Sequence, residues 1–122
     1  MGYLAERELS MFEVAIQALA SAQASGAIVL DVREPSEFAT GHVPGARLIP
    51  AREIRARLYE LPRGATVYLI CANGARSLEL IPFMRAVGYD AYSVAGGMWA
   101  WLANGGHDPS EAVSRHNTRE VR

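Results

Sequence analysis

The residue best equipped for chemistry is Cys71, the single cysteine of the chain. It opens the run Cys71-Ala72-Asn73-Gly74-Ala75-Arg76-Ser77. The reactive form of a cysteine is the thiolate, so a working cysteine needs surroundings that favour negative charge on sulfur. This run predicts them. Gly74 accepts a positive φ, and Asn73 tolerates the left-handed region. The small Ala72 and Ala75 leave the backbone accessible. A tight loop of this composition can aim successive N–H groups at one point and form an anion-binding nest. A helix behind it adds unpaired amides and the positive end of its dipole. Arg76 adds a fixed positive charge. The same features suit an oxyanion substrate. A lone cysteine after an apolar strand is more often a small buried hydrophobe. The glycine, the arginine and the helix start that follow it tip the reading toward chemistry.

The elements that must hold this loop are legible on both sides. Thr66-Val67-Tyr68-Leu69-Ile70 is apolar on both faces, as a strand covered by helices on both sides should be. Residues 77–87 read as the following helix, ending at Gly88, with Pro82 expected to kink its first turns. Cys71 therefore falls at the carboxyl end of a strand, where open α/β sheets bind ligands.

Elsewhere, residues 12–24 read as a helix capped by Ser10 and stopped by Gly26, with Phe12, Ile16, Leu19 and Ala20 as its apolar stripe. Ile28-Val29-Leu30, ending at Asp31, reads as a buried strand. Pro35 is well placed at the first position of a short helix over 34–39. Residues 41–45 form a turn-rich connection. Leu48-Ile49 predicts a short strand, 51–59 a helix, 91–94 a strand and 97–102 a last helix. Alternating strands and helices predict an α/β fold with a largely parallel sheet. Residues 1–104 are expected to be the folded domain and 105–122 a polar, mobile tail.

Composition sets bounds. The chain has 122 residues, enough for one core. Its net charge is −1, which argues against nucleic acid or a strongly charged partner. All basic residues are arginine. One cysteine excludes an internal disulfide or resolving thiol and fits a reducing compartment. His42, His107 and His116 lack ligand spacing with Cys71, so neither metal nor cofactor is expected. No run is long enough to span a bilayer, and acidic residues interrupt the N-terminus where a signal peptide would be apolar. Met1-Gly2 is followed by Glu6 where a myristoylation motif wants a hydroxyl residue. The expectation is a soluble, cytoplasmic protein without a membrane partner.

Three stretches together resemble the rhodanese homology domain over roughly 9–101. Asp31-Val32-Arg33-Glu34, Glu37-Phe38 and Gly41-His42-Val43-Pro44-Gly45-Ala46 are similar to its first signature. The run 71–77 is similar to its active-site loop. Gly88-Tyr89 with Gly96-Gly97-Met98-Trp99-Ala100-Trp101 is similar to its closing pattern. Each piece alone is weak; in this order and at these separations they are highly specific. The resemblance implies a five-stranded parallel sheet flanked by helices on both faces. It implies that Cys71 takes a sulfane sulfur from a small sulfur-containing anion, typically thiosulfate, and passes it to cyanide, a thiol or a sulfur-acceptor protein. It implies that Ala72, Asn73, Gly74, Ala75 and Arg76 bind substrate and persulfide through their amides. Asp31 and Arg33 of the first signature read as mostly architectural, pairing or hydrogen-bonding near the loop, and with Ser77 they are its supporting residues. A loop ending in Arg76 is similar to thiosulfate-using members; mercaptopyruvate-using members favour a small hydroxyl residue there. His42 sits in a Gly/Pro turn, so a structural hydrogen bond outweighs general-base chemistry. Trp99 and Trp101 read as core and rim packing.

Two departures and two rivals stand beside this. Pro82 is unusual in the helix behind the loop. The N-terminal segment is longer than the minimal domain needs and could contact another copy or another protein. A cysteine phosphatase or arsenate reductase loop is longer by one residue and would put arginine at position 77, where Ser77 stands. A persulfide relay or docking module uses the same fold, and an intact Cys71 argues against docking alone.

Overall fold

The computed structural model of the chain describes residues 6–105. Apart from Gly105, the expected tail 105–122 lies outside the described residues. Five strands, β1 (Glu13–Val14), β2 (Ile28–Asp31), β3 (Arg47–Leu48), β4 (Thr66–Ile70) and β5 (Asp90–Val94), form one sheet in the order β1-β5-β4-β2-β3. Every neighbouring pair is parallel. Parallel neighbours need long crossovers. These contain α2 (Ala18–Ala24), α3 (Pro35–Ala39), α4 (Ile54–Arg57) and α5 (Ala75–Ala86); α1 (Glu6–Leu9) precedes the sheet and α6 (Gly97–Ala103) follows it.

The pleat divides the core. Along β4, Val67 and Leu69 face one side, with Ile54 of α4 and Ile81 and Met84 of α5. Ile70 faces the other, with Leu19 of α2 and Met98 of α6. Both clusters are almost fully buried, which explains why Val67, Leu69 and Ile70 of β4 are apolar.

The N-terminal expectation needs correcting. Residues 12–24 are not one helix. A 3-10 turn (Ser10–Phe12) leads into β1, and α2 starts only at Ala18. The apolar stripe is split as well. Phe12 packs against the Leu69 cluster and Ile16 and Leu19 against the other, while Ala20 is exposed. Tertiary contacts overrule the local period. Glu13 and Val14 pair with Ser93 and Val94, and Val14 O accepts the Ala95 amide at 2.8 Å. The Arg85 guanidinium lies 3.9 Å from the Phe12 ring centroid, anchoring the segment to α5. The extra N-terminal length thus supplies an edge strand.

Other boundaries move less. The third strand is Arg47–Leu48, one residue earlier than read. The helix expected over 51–59 is α4 between two 3-10 turns, Ala51–Glu53 and Leu58–Glu60. The Tyr89 hydroxyl closes that segment by donating to Leu58 O and Leu61 O at 3.3 and 3.2 Å. The helix behind the loop begins at Ala75 and continues through Pro82 to Ala86 as 12 residues. Among the described residues, no helix is long and apolar enough to cross a membrane.

Candidate active site

Strand parity decides where Cys71 points. It follows Ile70 directly, so its side chain leaves on the face of Leu69, beneath the start of α5. Two backbone bonds dock α6 against the loop. The Cys71 carbonyl accepts the Met98 amide at 2.8 Å, and the Ala72 carbonyl accepts the Trp99 amide at 3.0 Å. The approach is so close that a Cβ at Gly97 would overlap the Cys71 carbonyl oxygen. Gly74 is constrained mainly by its backbone conformation. Its φ is +96°, and a Cβ there would sit 3.0 Å from the Gly96 nitrogen.

The loop turns two amide donors and one hydroxyl acceptor toward the sulfur. The Gly74 amide lies 3.2 Å from Cys71 Sγ and the Ser77 amide 3.3 Å. The Ser77 hydroxyl lies 3.5 Å away. This is a nest built at the first turn of α5. Its membership differs from the sequence reading in two ways. Asn73 does not adopt the left-handed region, since every described positive-φ residue is a glycine. Its side chain instead accepts the Ala75 amide at 3.0 Å in an Asx-type turn, which turns that amide away from the sulfur.

A second correction concerns access. The small residues of the loop predict an open site; Cys71 has no exposed surface. Strand parity and the wrapped loop enclose it. The side chain is therefore both a core neighbour of Leu69 and Ile81 and the target of polar donors.

Ser77 is fully buried and bonds further inward. Its hydroxyl donates to Gly74 O at 3.2 Å and lies 2.7 Å from the hydroxyl of Ser93 on β5. Ser93, also fully buried, carried no signal in the sequence, because it meets Ser77 only through the packing of α5 on β5.

Arg76 reaches outward. Its guanidinium lies 3.7 Å from the Glu37 carboxylate, with both side chains partly exposed. Glu37 is a second site neighbour not singled out for a role, although it stands in the first signature. It also accepts the Glu34 amide at 2.8 Å, the capping position of α3. Glu34 in turn bonds Arg52 at 2.9 Å, and that bond holds its carboxyl below the ordinary carboxylate range, with the charge of Arg76 adding to the effect.

Asp31 and Arg33 form a buried bidentate pair. Arg33 donates to Asp31 through Nε at 3.0 Å and Nη2 at 2.8 Å. The same guanidinium donates to Glu37 O and Gly41 O at 3.3 and 2.9 Å. The pair ties the end of β2 to α3 and the following turn, one strand away from Cys71. His42 is also held structurally: Nδ1 bonds Phe38 O at 2.9 Å, and the ring stacks on Phe38 at 3.6 Å. Trp101 is half-buried and Trp99 is 65% exposed, so Trp99 is a rim residue rather than core.

Comparison with known proteins agrees with this architecture. The family model for the rhodanese-like domain matches residues 15–104. The chain is 40% identical over 74 residues to the uncharacterized protein YqhL of Bacillus subtilis, covering 60% of this chain and 59% of that protein. It is 33% identical over 88 residues to the thiosulfate sulfurtransferase GlpE of Pseudomonas putida, covering 71% and 80%. Among solved structures, human single-domain sulfurtransferase TSTD1 superposes with a TM-score of 0.67 at 31% identity, covering 75% of this chain and 96% of that one. A cysteine loop cupped at the end of a central parallel strand, with this match over most of its length, means that the chain belongs to the rhodanese-like domain family and has sulfurtransferases among its relatives.

Proposed function

We propose that this protein is a sulfurtransferase that carries sulfur on Cys71 as a persulfide, taking it from thiosulfate or a similar anion. The observation that carries the reading is the convergence of the Gly74 and Ser77 amides on Cys71 Sγ, with the Ser77 hydroxyl beside them accepting from the thiol. Two amide donors on one sulfur solvate negative charge there without water. The sulfurtransferase relatives point the same way.

The chemistry is a double displacement. The Cys71 thiolate attacks the outer sulfur of thiosulfate, the S–S bond of the donor breaks, and sulfite leaves with the bonding pair. A thiophilic acceptor (cyanide, a thiol or an acceptor protein) then attacks the outer sulfur of the persulfide and returns the thiolate. Ping-pong kinetics follow. The loop donors hold the negative sulfur in both half-reactions, and Arg76 at the rim meets the anionic donor. Because Cys71 is enclosed, the loop 72–76 must yield for the first step. The added sulfur then lies about 2 Å farther out, nearer the acceptor. A lone cysteine is compatible with a reducing compartment such as the cytoplasm.

Intact-protein mass spectrometry after exposure to thiosulfate tests the reading. The expected result is a gain of one sulfur atom on the wild type, removed by cyanide, with no gain on Cys71→Ser. Transfer activity retained by Cys71→Ser would overturn it. An aryl phosphate assayed alongside should give no turnover; turnover that depends on Cys71 would favour the phosphatase reading.

A further inference from the structure

We infer that Ser77 and Ser93 form a two-hydroxyl switch that serves Cys71 in both its neutral and its negatively charged state, with Ser93 as a positioning residue acting through Ser77. The inference deepens the sulfurtransferase reading and rests on it for its purpose.

Hydrogen accounting carries the argument. A hydroxyl has one proton to donate and two lone pairs to accept. Ser77 Oγ has three neighbours: Cys71 Sγ at 3.5 Å, Gly74 O at 3.2 Å and Ser93 Oγ at 2.7 Å. A carbonyl can only accept, and a neutral thiol can donate. With the sulfur protonated, the thiol therefore donates to Ser77, Ser77 donates to Gly74 O, and Ser93 donates to Ser77. With the sulfur negative, it has no proton and only accepts. The Ser77 proton then swings from Gly74 O to the sulfur, while Ser93 keeps donating to Ser77.

The swing leaves no buried group unpaired. Gly74 O still holds the Leu78 amide at 3.1 Å, the first helical bond of α5. The Ser77 amide stays on the sulfur throughout. Orphaned buried polar groups are costly, so a site in which a proton can rotate without creating one is suited to a sulfur that alternates between charge states. All three side chains are fully buried, so water cannot substitute for either hydroxyl without first entering the core.

The groups around the pair leave this role to the hydroxyls. Arg76 at the start of α5 is engaged with Glu37 of α3, Arg33 with Asp31 at the end of β2, and Arg52 with Glu34. From β5 the contribution is the Ser93 hydroxyl, and from α6 it is backbone amides donated to Cys71 O and Ala72 O.

The test reads the ultraviolet absorbance of the Cys71 thiolate against pH, with Cys71→Ser as the blank, and the single-turnover rate of sulfur uptake from thiosulfate. Ser77→Ala should lower the thiolate fraction near neutral pH about tenfold, the scale of one hydrogen bond to a charged group. Ser93→Ala should lower it about threefold, since it removes only the bond that polarises Ser77. Sulfur uptake should slow in the same order. Thr and Val at position 93 have nearly the same shape and separate the hydroxyl from its packing: Ser93→Thr should restore the wild-type profile, and Ser93→Val should behave as Ser93→Ala. A wild-type profile in Ser93→Ala or Ser93→Val would overturn the role of Ser93, and equal profiles in the Thr and Val variants would reduce it to packing. A wild type that takes no sulfur from thiosulfate would overturn the proposed function, while the absorbance profile would still decide the switch.

Discussion

The guanidinium of Arg76 lies 3.7 Å from the carboxylate of Glu37, joining the first turn of α5 to α3 across the edge of the cysteine loop. Glu37 has a second duty, since the same carboxylate caps α3 by accepting the Glu34 amide. The cation that would meet an anionic donor is therefore partly neutralised in the free protein, and the two duties can be separated by substitution. Glu37→Gln keeps an acceptor for the cap and removes the charge. Half-exposed pairs of this kind are weak, so the effect is modest. The KM for thiosulfate should fall by about twofold to fivefold with kcat little changed. An unchanged or higher KM in steady-state assays would show that Arg76 does not engage the donor.

Gly97 sits where α6 meets the loop. Alanine there would drive a Cβ into the Cys71 carbonyl at a φ of +51°, a conformation glycine adopts freely. Gly97→Ala should destabilise the fold by about 2 kcal/mol or more, the usual range for strain at a special backbone position. The backbone bonds to Cys71 and Ala72 should weaken with it. Urea denaturation gives the first quantity and amide exchange at Met98 and Trp99 the second; a variant as stable and as protected as the wild type would contradict this geometry.

The Asp31–Arg33 pair is buried, with the Arg33 side chain 7% exposed and Asp31 fully enclosed. Removing one partner leaves the other charge without compensation. Arg33→Ala should cost about 3–5 kcal/mol. A structural role also predicts that folded Arg33→Ala protein retains the wild-type thiolate profile of Cys71. A stable variant with an altered profile would instead place the pair in the chemistry.

Glu34 offers a pH-dependent reading. The hydrogen bond from Arg52 holds its carboxyl below the ordinary range. The sign follows from linkage: its contribution to stability is fully present above the ordinary carboxylate pKa and is lost as pH falls through the lowered folded value. The pair is solvent-exposed, so the effect on folding is small. Carboxyl NMR should find Glu34 titrating below a typical glutamate, and Arg52→Ala should return it to the usual range. A Glu34 that titrates alike in both proteins would remove Arg52 as the cause.

The residues alone reveal those parts of the molecule that depend on neighbours along the chain. An apolar-on-both-faces run over 66–70 had to be a covered strand, and a small, glycine-bearing loop with an arginine had to follow it. Asp31 and Arg33, two residues apart, could be expected to pair, and Pro35 marked the start of α3. The sequence misled where a local period coincided with another structure: Phe12, Ile16 and Leu19 fit helical spacing, yet Glu13 and Val14 belong to a strand because β5 offers its edge. Which layer Cys71 faces, the enclosure of its sulfur and the meeting of Ser77 with Ser93, 16 positions away in sequence, come from how the segments pack. Which layer covers each face of β4, the packing of α5 on β5 and the docking of α6 on the loop are relations between distant segments. No pattern within one segment encodes them.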